Sequence, residues 1–174
     1  MTQQGSQEVG EVGESRIVVL GGSFSQFHKG HVELLKSALK ISKKIKIGLV
    51  VNPGNKPFKE LIEDYQTRYN KLKKAILELD KEADFEIVPI HDPYGPSISE
   101  LNLTDIVCTE ETLPRAIEIN EIRKKKGLKP LNVHYISLAL AEDFLPIRSS
   151  RIRAGQIDEN GKLLVKEVKI IYDE

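Results

Sequence analysis

Arg16-Ile17-Val18-Val19-Leu20-Gly21, followed by Gly22-Ser23-Phe24-Ser25-Gln26-Phe27-His28-Lys29-Gly30-His31, is the stretch that decides the fold. An unbroken apolar run ending in glycine suits a parallel strand buried on both faces, since a strand with one wet face would alternate. The turn-rich link after it gives way near Lys29 to a helix. Val32, Leu34, Leu35, Ala38 and Leu39 form its apolar face, and it ends at about Ile41.

The same alternation continues along the chain. Residues 46–51 make a second apolar run, stopped by Asn52-Pro53-Gly54-Asn55-Lys56-Pro57-Phe58, because proline cannot continue a central strand. Ile62, Tyr65, Tyr69, Leu72, Ile76 and Leu79 are spaced 3, 4, 3, 4 and 3 apart, which predicts a helix with one apolar stripe. Residues 85–90 predict strand three, with the loop His91 to Pro96 after it, and residues 106–109 strand four. Glu110 to about Lys126 predicts a helix with acids in its first turn, Arg123-Lys124-Lys125-Lys126 in its last, and Gly127 as its cap. The basic run reads as a solvated helix end. Residues 133–140 predict strand five, with His134 in a structural position, and residues 149–154 the first turn of a last helix. Asn160-Gly161 is a hairpin signal, after which Lys162 to Tyr172 would add an edge strand. Strands alternating with helices imply an α/β fold: a Rossmann-like, open, parallel five-stranded sheet with helices on both faces. Residues 1–14 read as a flexible tail and residues 15–174 as a single domain.

Composition narrows the function. The 174 residues carry 26 Lys and Arg against 26 Asp and Glu, so net charge gives no long-range attraction to nucleic acid or anionic lipid. Cys108 is the only cysteine, which excludes an intramolecular disulfide and a Cys-rich zinc site. No apolar run approaches the roughly 20 residues of a membrane span, and the first fourteen residues lack the apolar core of a secretory signal. The expectation is a cytoplasmic monomer or small homo-oligomer acting on small molecules, with no nucleic-acid or membrane partner.

In an open α/β sheet, ligands bind beyond the carboxyl ends of the strands, so the loop from Gly21 to His31 is the chemical one. Its glycines let backbone approach a ligand, and Ser23 offers an amide and a hydroxyl. A helix start attracts anions, but contributes only about 0.3–2 kcal/mol to a charge, too little to hold a triphosphate. His28 and His31, three residues apart, can supply the further donors. The spacing equally suits a structural turn with one capping and one surface histidine.

These residues resemble the nucleotidyltransferase superfamily, in which Gly-Thr-Phe-Asp is followed by His-x-Gly-His. Ile147-Arg148-Ser149-Ser150-Arg151-Ile152-Arg153 is similar to that superfamily's Ile-Ser-Ser-(Ser/Thr)-x-Ile-Arg segment. His91-Asp92-Pro93-Tyr94-Gly95-Pro96, Glu110-Glu111-Thr112, residues 118–123 and Gly127-Leu128-Lys129-Pro130-Leu131 resemble the archaeal and eukaryotic branch of pantetheine-phosphate adenylyltransferase. The resemblance runs from about Arg16 to Gly161.

It implies adenylyl transfer from ATP, with Mg²⁺, to 4′-phosphopantetheine, giving dephospho-CoA and pyrophosphate. It implies a nucleotide site of Gly21, Gly22, Ser23, Phe24, His28, His31, Ser149, Ser150, Arg151 and Arg153. His31, His28 and Lys56 form the implied catalytic set, with Lys59 competing for the place of Lys56. Ser23, Lys56, Arg68, Asp92 and Tyr94 are the implied acceptor contacts, while Tyr65 reads as packing. Glu110, Glu111 and Thr112 suit either the neighbourhood of the adenine or a helix cap. Ser25 stands where the family has Asp, and Arg148 where it has Ser. The alternatives are another small nucleotidyltransferase, acting on nicotinamide mononucleotide or using CTP, and a nucleotide-binding regulatory module without catalysis.

Overall fold

The computed structural model describes residues 15–164. Five strands, β1 (Val18–Gly22), β2 (Lys44–Val50), β3 (Asp84–Ile90), β4 (Asp105–Thr109) and β5 (Asn132–Ile136), pair in parallel in the order β3-β2-β1-β4-β5. Helices α1 (Lys29–Ile41), α2 (Tyr65–Leu79), α3 (Leu113–Lys125) and α4 (Ser149–Arg153) fill the connections and the last loop. Strand order reverses between β1 and β4, which opens a crevice above their carboxyl ends.

The two faces of the sheet follow from strand alternation. Val18, Leu20, Ile45, Ile47, Leu49 and Val107 face Leu34, Leu35 and Ala38 of α1 and Leu72 and Ile76 of α2. Val19, Ile106 and Cys108 face the other way, onto Ala116 and Ile119 of α3. A third, smaller cluster of Ala141, Ile147 and Ile157 fixes the chain around α4. Among the described residues no helix is long and apolar enough to cross a membrane.

Several element boundaries differ from expectation for identifiable reasons. Helix α2 starts at Tyr65, not Ile62, because Asp64 caps it, its Oδ1 accepting the Thr67 N–H at 2.7 Å; Ile62 closes a separate 3₁₀ turn, Lys59–Leu61. Helix α3 starts at Leu113, so Glu110 and Glu111 lie in the turn before it and not in its first turn. Pro114, at a position that needs no N–H donor, fixes that start. Strand β5 leaves the sheet after Ile136, and Leu140 instead forms an isolated antiparallel bridge with Pro146. Arg123 is not part of a solvated end. It is fully buried, with Nε donating to the Lys129 carbonyl at 2.7 Å and Nη1 to those of Ser97 and Glu100. Gly127 caps α3 as expected, at φ 72°, a conformation that favours glycine.

The Asn160-Gly161 turn forms, with Ile157 and Leu163 bridged antiparallel across it. The rest of the expected edge strand, and the tail over residues 1–14, lie outside the described residues. His134 is structural: its Nε2 lies 2.8 Å from Asp105 Oδ1 near the amino end of β4. Asp105 is completely buried and also meets Arg16 and Thr104. Burial opposes its ionisation, yet hydrogen bonds from Arg16, Thr104 and His134 outweigh this and hold its carboxyl well below the usual range.

Candidate active site

The crevice between β1 and β4 opens into a cavity of about 560 Å³. The β1–α1 loop, the turns after β2, β3 and β4, and the start of α4 all contribute to its wall.

The β1–α1 loop is held in a strained shape. Phe24 and Gln26, neither a glycine, sit at φ 47° and 40°, in the left-handed region where side chains cost about 1–3 kcal/mol each. Hydrogen bonds from distant elements keep it there. Arg68 Nη1 donates to the Ser23 carbonyl at 2.9 Å, Ser149 Oγ to the Ser25 carbonyl at 2.6 Å, and the Gln26 N–H donates to Glu63 Oε2 at 2.9 Å. The Phe24 ring is buried, 5.2 Å from the His31 ring centroid.

The two histidines form a reciprocal cap at the start of α1. His28 is the N-cap, its Nδ1 accepting the Gly30 N–H at 3.0 Å, while His31 Nδ1 accepts the His28 N–H at 3.2 Å. With each Nδ1 acting as acceptor, the ring proton is assigned to Nε2, and each Nε2–H remains a donor without a partner among the described residues. Burial pushes the His28 imidazole down to about 4. Burial, then the charges of His28 and Lys56, push His31 well below its ordinary value. Both rings are therefore neutral donors at neutral pH, and both line the cavity. Neither is the surface histidine of the structural-turn reading.

Gly21, Gly22, Ser23, Phe24, His28, His31, Ser149, Ser150 and Arg153 are brought together on the cavity wall. Arg153 donates Nε to the Pro57 carbonyl at 3.0 Å and Nη1 to Gln26 Oε1 at 2.7 Å and Ser25 Oγ at 3.3 Å. Ser25 thus occupies the position of the family's Asp as a buried neutral partner of an arginine. Lys56 lines the cavity with Nζ 3.2 Å from Ser23 Oγ, whereas Lys59, in the 3₁₀ turn, does not line it. Burial, then the charges of Arg153 and Arg68, lower the Lys56 pKa.

Three expected contacts fall elsewhere. Arg68 does not line the cavity; it is buried and donates to the carbonyls of Ser23, Val50, Val51 and Glu63, clasping two loops together. Arg151 turns away to Asp143 and to the carbonyls of Leu145 and Pro146. Asp92 shapes the turn behind the wall, accepting the N–H groups of Tyr94 and Gly95 at 2.8 and 2.7 Å. Gly95 there has φ 51°, and a Cβ on it would lie 2.5 Å from Ile90 Cγ2. Tyr94 does line the cavity, its hydroxyl 2.8 Å from Glu118 Oε1 and its ring beneath Arg115. Arg115, Thr109 and residues 137–139 also line the cavity but carry no sequence signal of their own.

An open 3-2-1-4-5 sheet with paired imidazole donors and arginine over its switch point defines an α/β nucleotidyltransferase, and a family model described as cytidylyltransferase-like matches residues 19–155. The sequence is 36% identical over 148 residues to phosphopantetheine adenylyltransferase of Methanothermobacter thermautotrophicus, covering 85% of this chain and 89% of that one. It is 38% identical over 149 residues to the enzyme of the same name from Methanosarcina mazei, covering 84% and 96%. The chain belongs to the phosphopantetheine adenylyltransferase family. Solved structures share the fold at low identity. Pantothenate synthetase from Thermus thermophilus matches with TM-score 0.55 at 14% identity, over 82% of this chain and 63% of that one. A bifunctional NMN adenylyltransferase/ADP ribose pyrophosphatase from Francisella tularensis matches at 0.53 and 19%, over 80% and 41%.

Proposed function

We propose that the chain transfers the adenylyl group of ATP to 4′-phosphopantetheine, releasing pyrophosphate and forming dephospho-CoA. The observation that carries this reading is the convergence of His28, His31, Lys56 and Arg153 with Ser149 and Ser150 on one cavity, in a member of this family. A phosphate oxygen of the acceptor attacks the α-phosphorus, the bond from that phosphorus to the β-bridging oxygen breaks, and pyrophosphate leaves with the electron pair. The acceptor phosphate, with a second pKa near about 6, is already largely dianionic at neutral pH, so neither a general base nor a covalent enzyme intermediate is needed.

The protein's part is positioning and charge stabilisation. The Nε2–H groups of His31 and His28 donate to phosphate oxygens as charge shifts toward the leaving group. Arg153, with Ser149 and Ser150, lies along the nucleotide phosphates. Lys56, beside Ser23, meets the phosphate of the acceptor, and Tyr94 lies along its pantetheine arm. Among the described residues no group of three or more His, Cys, Asp or Glu is placed to hold a metal. Mg²⁺ accompanying the nucleotide would supply charge neutralisation at the phosphates, beside the donors of His28, His31 and Arg153. The reading places the enzyme in the cytoplasm, with soluble substrates.

The test is product formation with ATP or CTP and either 4′-phosphopantetheine or nicotinamide mononucleotide. Dephospho-CoA from ATP and 4′-phosphopantetheine is the expected product. Turnover only with CTP or the mononucleotide would replace this reading, and ATP binding without pyrophosphate release would leave a regulatory module.

A further inference from the structure

Among the described residues lining the cavity, Glu111 is the only carboxylate, facing a wall that carries Lys56, Arg115, Arg148 and Arg153. Three of those cations have other partners. Lys56 meets Ser23, Arg153 meets Pro57, Ser25 and Gln26, and Arg115 pairs with Glu118, which does not line the cavity, while its guanidinium lies over Tyr94. Arg148 alone has a counter-ion that is itself part of the cavity wall. Its Nη1 donates to Glu111 Oε2 at 2.9 Å and its Nη2 to Glu111 Oε1, a two-pronged pair joining the turn after β4 to the start of α4.

Local geometry frees Arg148 for this role. It is the N-cap of α4, extended at φ −129° and ψ 141°, and its carbonyl accepts from Arg151 and Ile152 while its side chain makes no cap bond. Ser149 and Ser150, on the phosphate wall, follow directly in sequence. Arg148 and Glu111 are each about half exposed, and such a pair is weakly held in water. A polyphosphate offers the same guanidinium more charge and more acceptor oxygens than one carboxylate does.

We propose that Arg148 exchanges Glu111 for the polyphosphate of the incoming nucleotide, making the pair a counter-ion latch. This rests on the nucleotidyl-transfer reading above. In the empty enzyme Glu111 holds the guanidinium at the mouth of the site and screens its charge; during binding it competes with the nucleotide for the same donors. The two residues therefore act on nucleotide affinity with opposite signs, which a purely structural salt bridge does not do.

The test measures ATP and AMP affinity by titration calorimetry, with Mg²⁺, for the wild type, Arg148→Ser, Glu111→Gln and the double variant, alongside KM for ATP, kcat and melting temperature. Arg148→Ser is expected to weaken ATP by roughly ten- to hundredfold while moving AMP far less. Glu111→Gln is expected to tighten ATP by up to about fivefold, because the competitor is gone. The double variant should match Arg148→Ser alone. Equal weakening of ATP by both single substitutions would show a structural clamp, and indifference to both a solvated pair; either overturns the latch. A wild type that binds ATP without making dephospho-CoA would refute the functional reading but leave the latch decided by the affinities. No ATP binding at all would overturn both.

Discussion

The imidazoles of His28 and His31 stack with ring centroids 3.8 Å apart, each turning Nδ1 onto a main-chain N–H of the same helical turn. The cap that starts α1 and the donors of the cavity are therefore the same two side chains. Their tautomer is set by the fold before any ligand arrives.

His31→Ala removes one such donor. Turnover to dephospho-CoA is expected to fall by about 10²–10³, the usual cost of losing one preorganised donor. The lost cap should lower stability by only about 0.5–2 kcal/mol. Steady-state rates and thermal melts on the same preparation check both; near-normal turnover would remove His31 from the mechanism.

The depressed histidines also make a pH prediction. An unfolded histidine titrates near about 6.5, whereas burial holds folded His28 at about 4. The folded chain thus binds fewer protons between these values, so this contribution to stability is fully present above about pH 6.5 and is lost as pH falls toward about 4. His31 is displaced in the same direction. His28→Asn keeps a capping side chain but does not titrate, and should lose less stability than the wild type between about pH 7 and pH 4.5 in denaturant melts. An identical loss in both proteins would contradict this account.

Lys56 and Lys59 separate on geometry, since only Lys56 lines the cavity. Lys56→Ala is expected to raise KM for 4′-phosphopantetheine by about tenfold or more, the effect of removing a charged donor. Lys59→Ala should leave it unchanged. Initial-rate measurements at saturating ATP decide between them, and the reverse ranking would reassign the acceptor phosphate.

At the other end of the sheet, Asp105→Ala strips the partner from Arg16, Thr104 and His134 at a completely buried position. A loss of about 3–5 kcal/mol is expected in chemical denaturation, with kcat preserved in the folded fraction. A large fall in kcat at unchanged stability would contradict a purely structural role.

The central strands were legible because both faces of the sheet are covered there, so runs such as 17–21 and 106–108 show no polar interruption. The start of α1 at Lys29 was legible from the turn chemistry before it. The start of α3 was also available, since Pro114 marks a first turn, but the acids at Glu110 and Glu111 gave a competing signal. In the site, His28, His31 and the Ser149–Ser150 pair were visible as motif residues. Arg151 and Arg153 look equivalent in sequence, yet residues two apart on a helix do not share a face, and only Arg153 reaches the cavity. The tasks of Arg68 and Arg123 were hidden, because their partners are main-chain carbonyls brought near only by the fold. Arg148 and Glu111 were each visible, but their pairing across 37 positions was not.

The bond from Ser149 Oγ to the Ser25 carbonyl spans 124 positions of the chain. The five strands among the described residues end at Ile136, so that sheet can pair while the strained loop at Phe24 and Gln26 still lacks its tether from α4. The final shape of the loop that carries the paired histidines thus depends on the late-synthesised part of the chain, through one hydroxyl of α4.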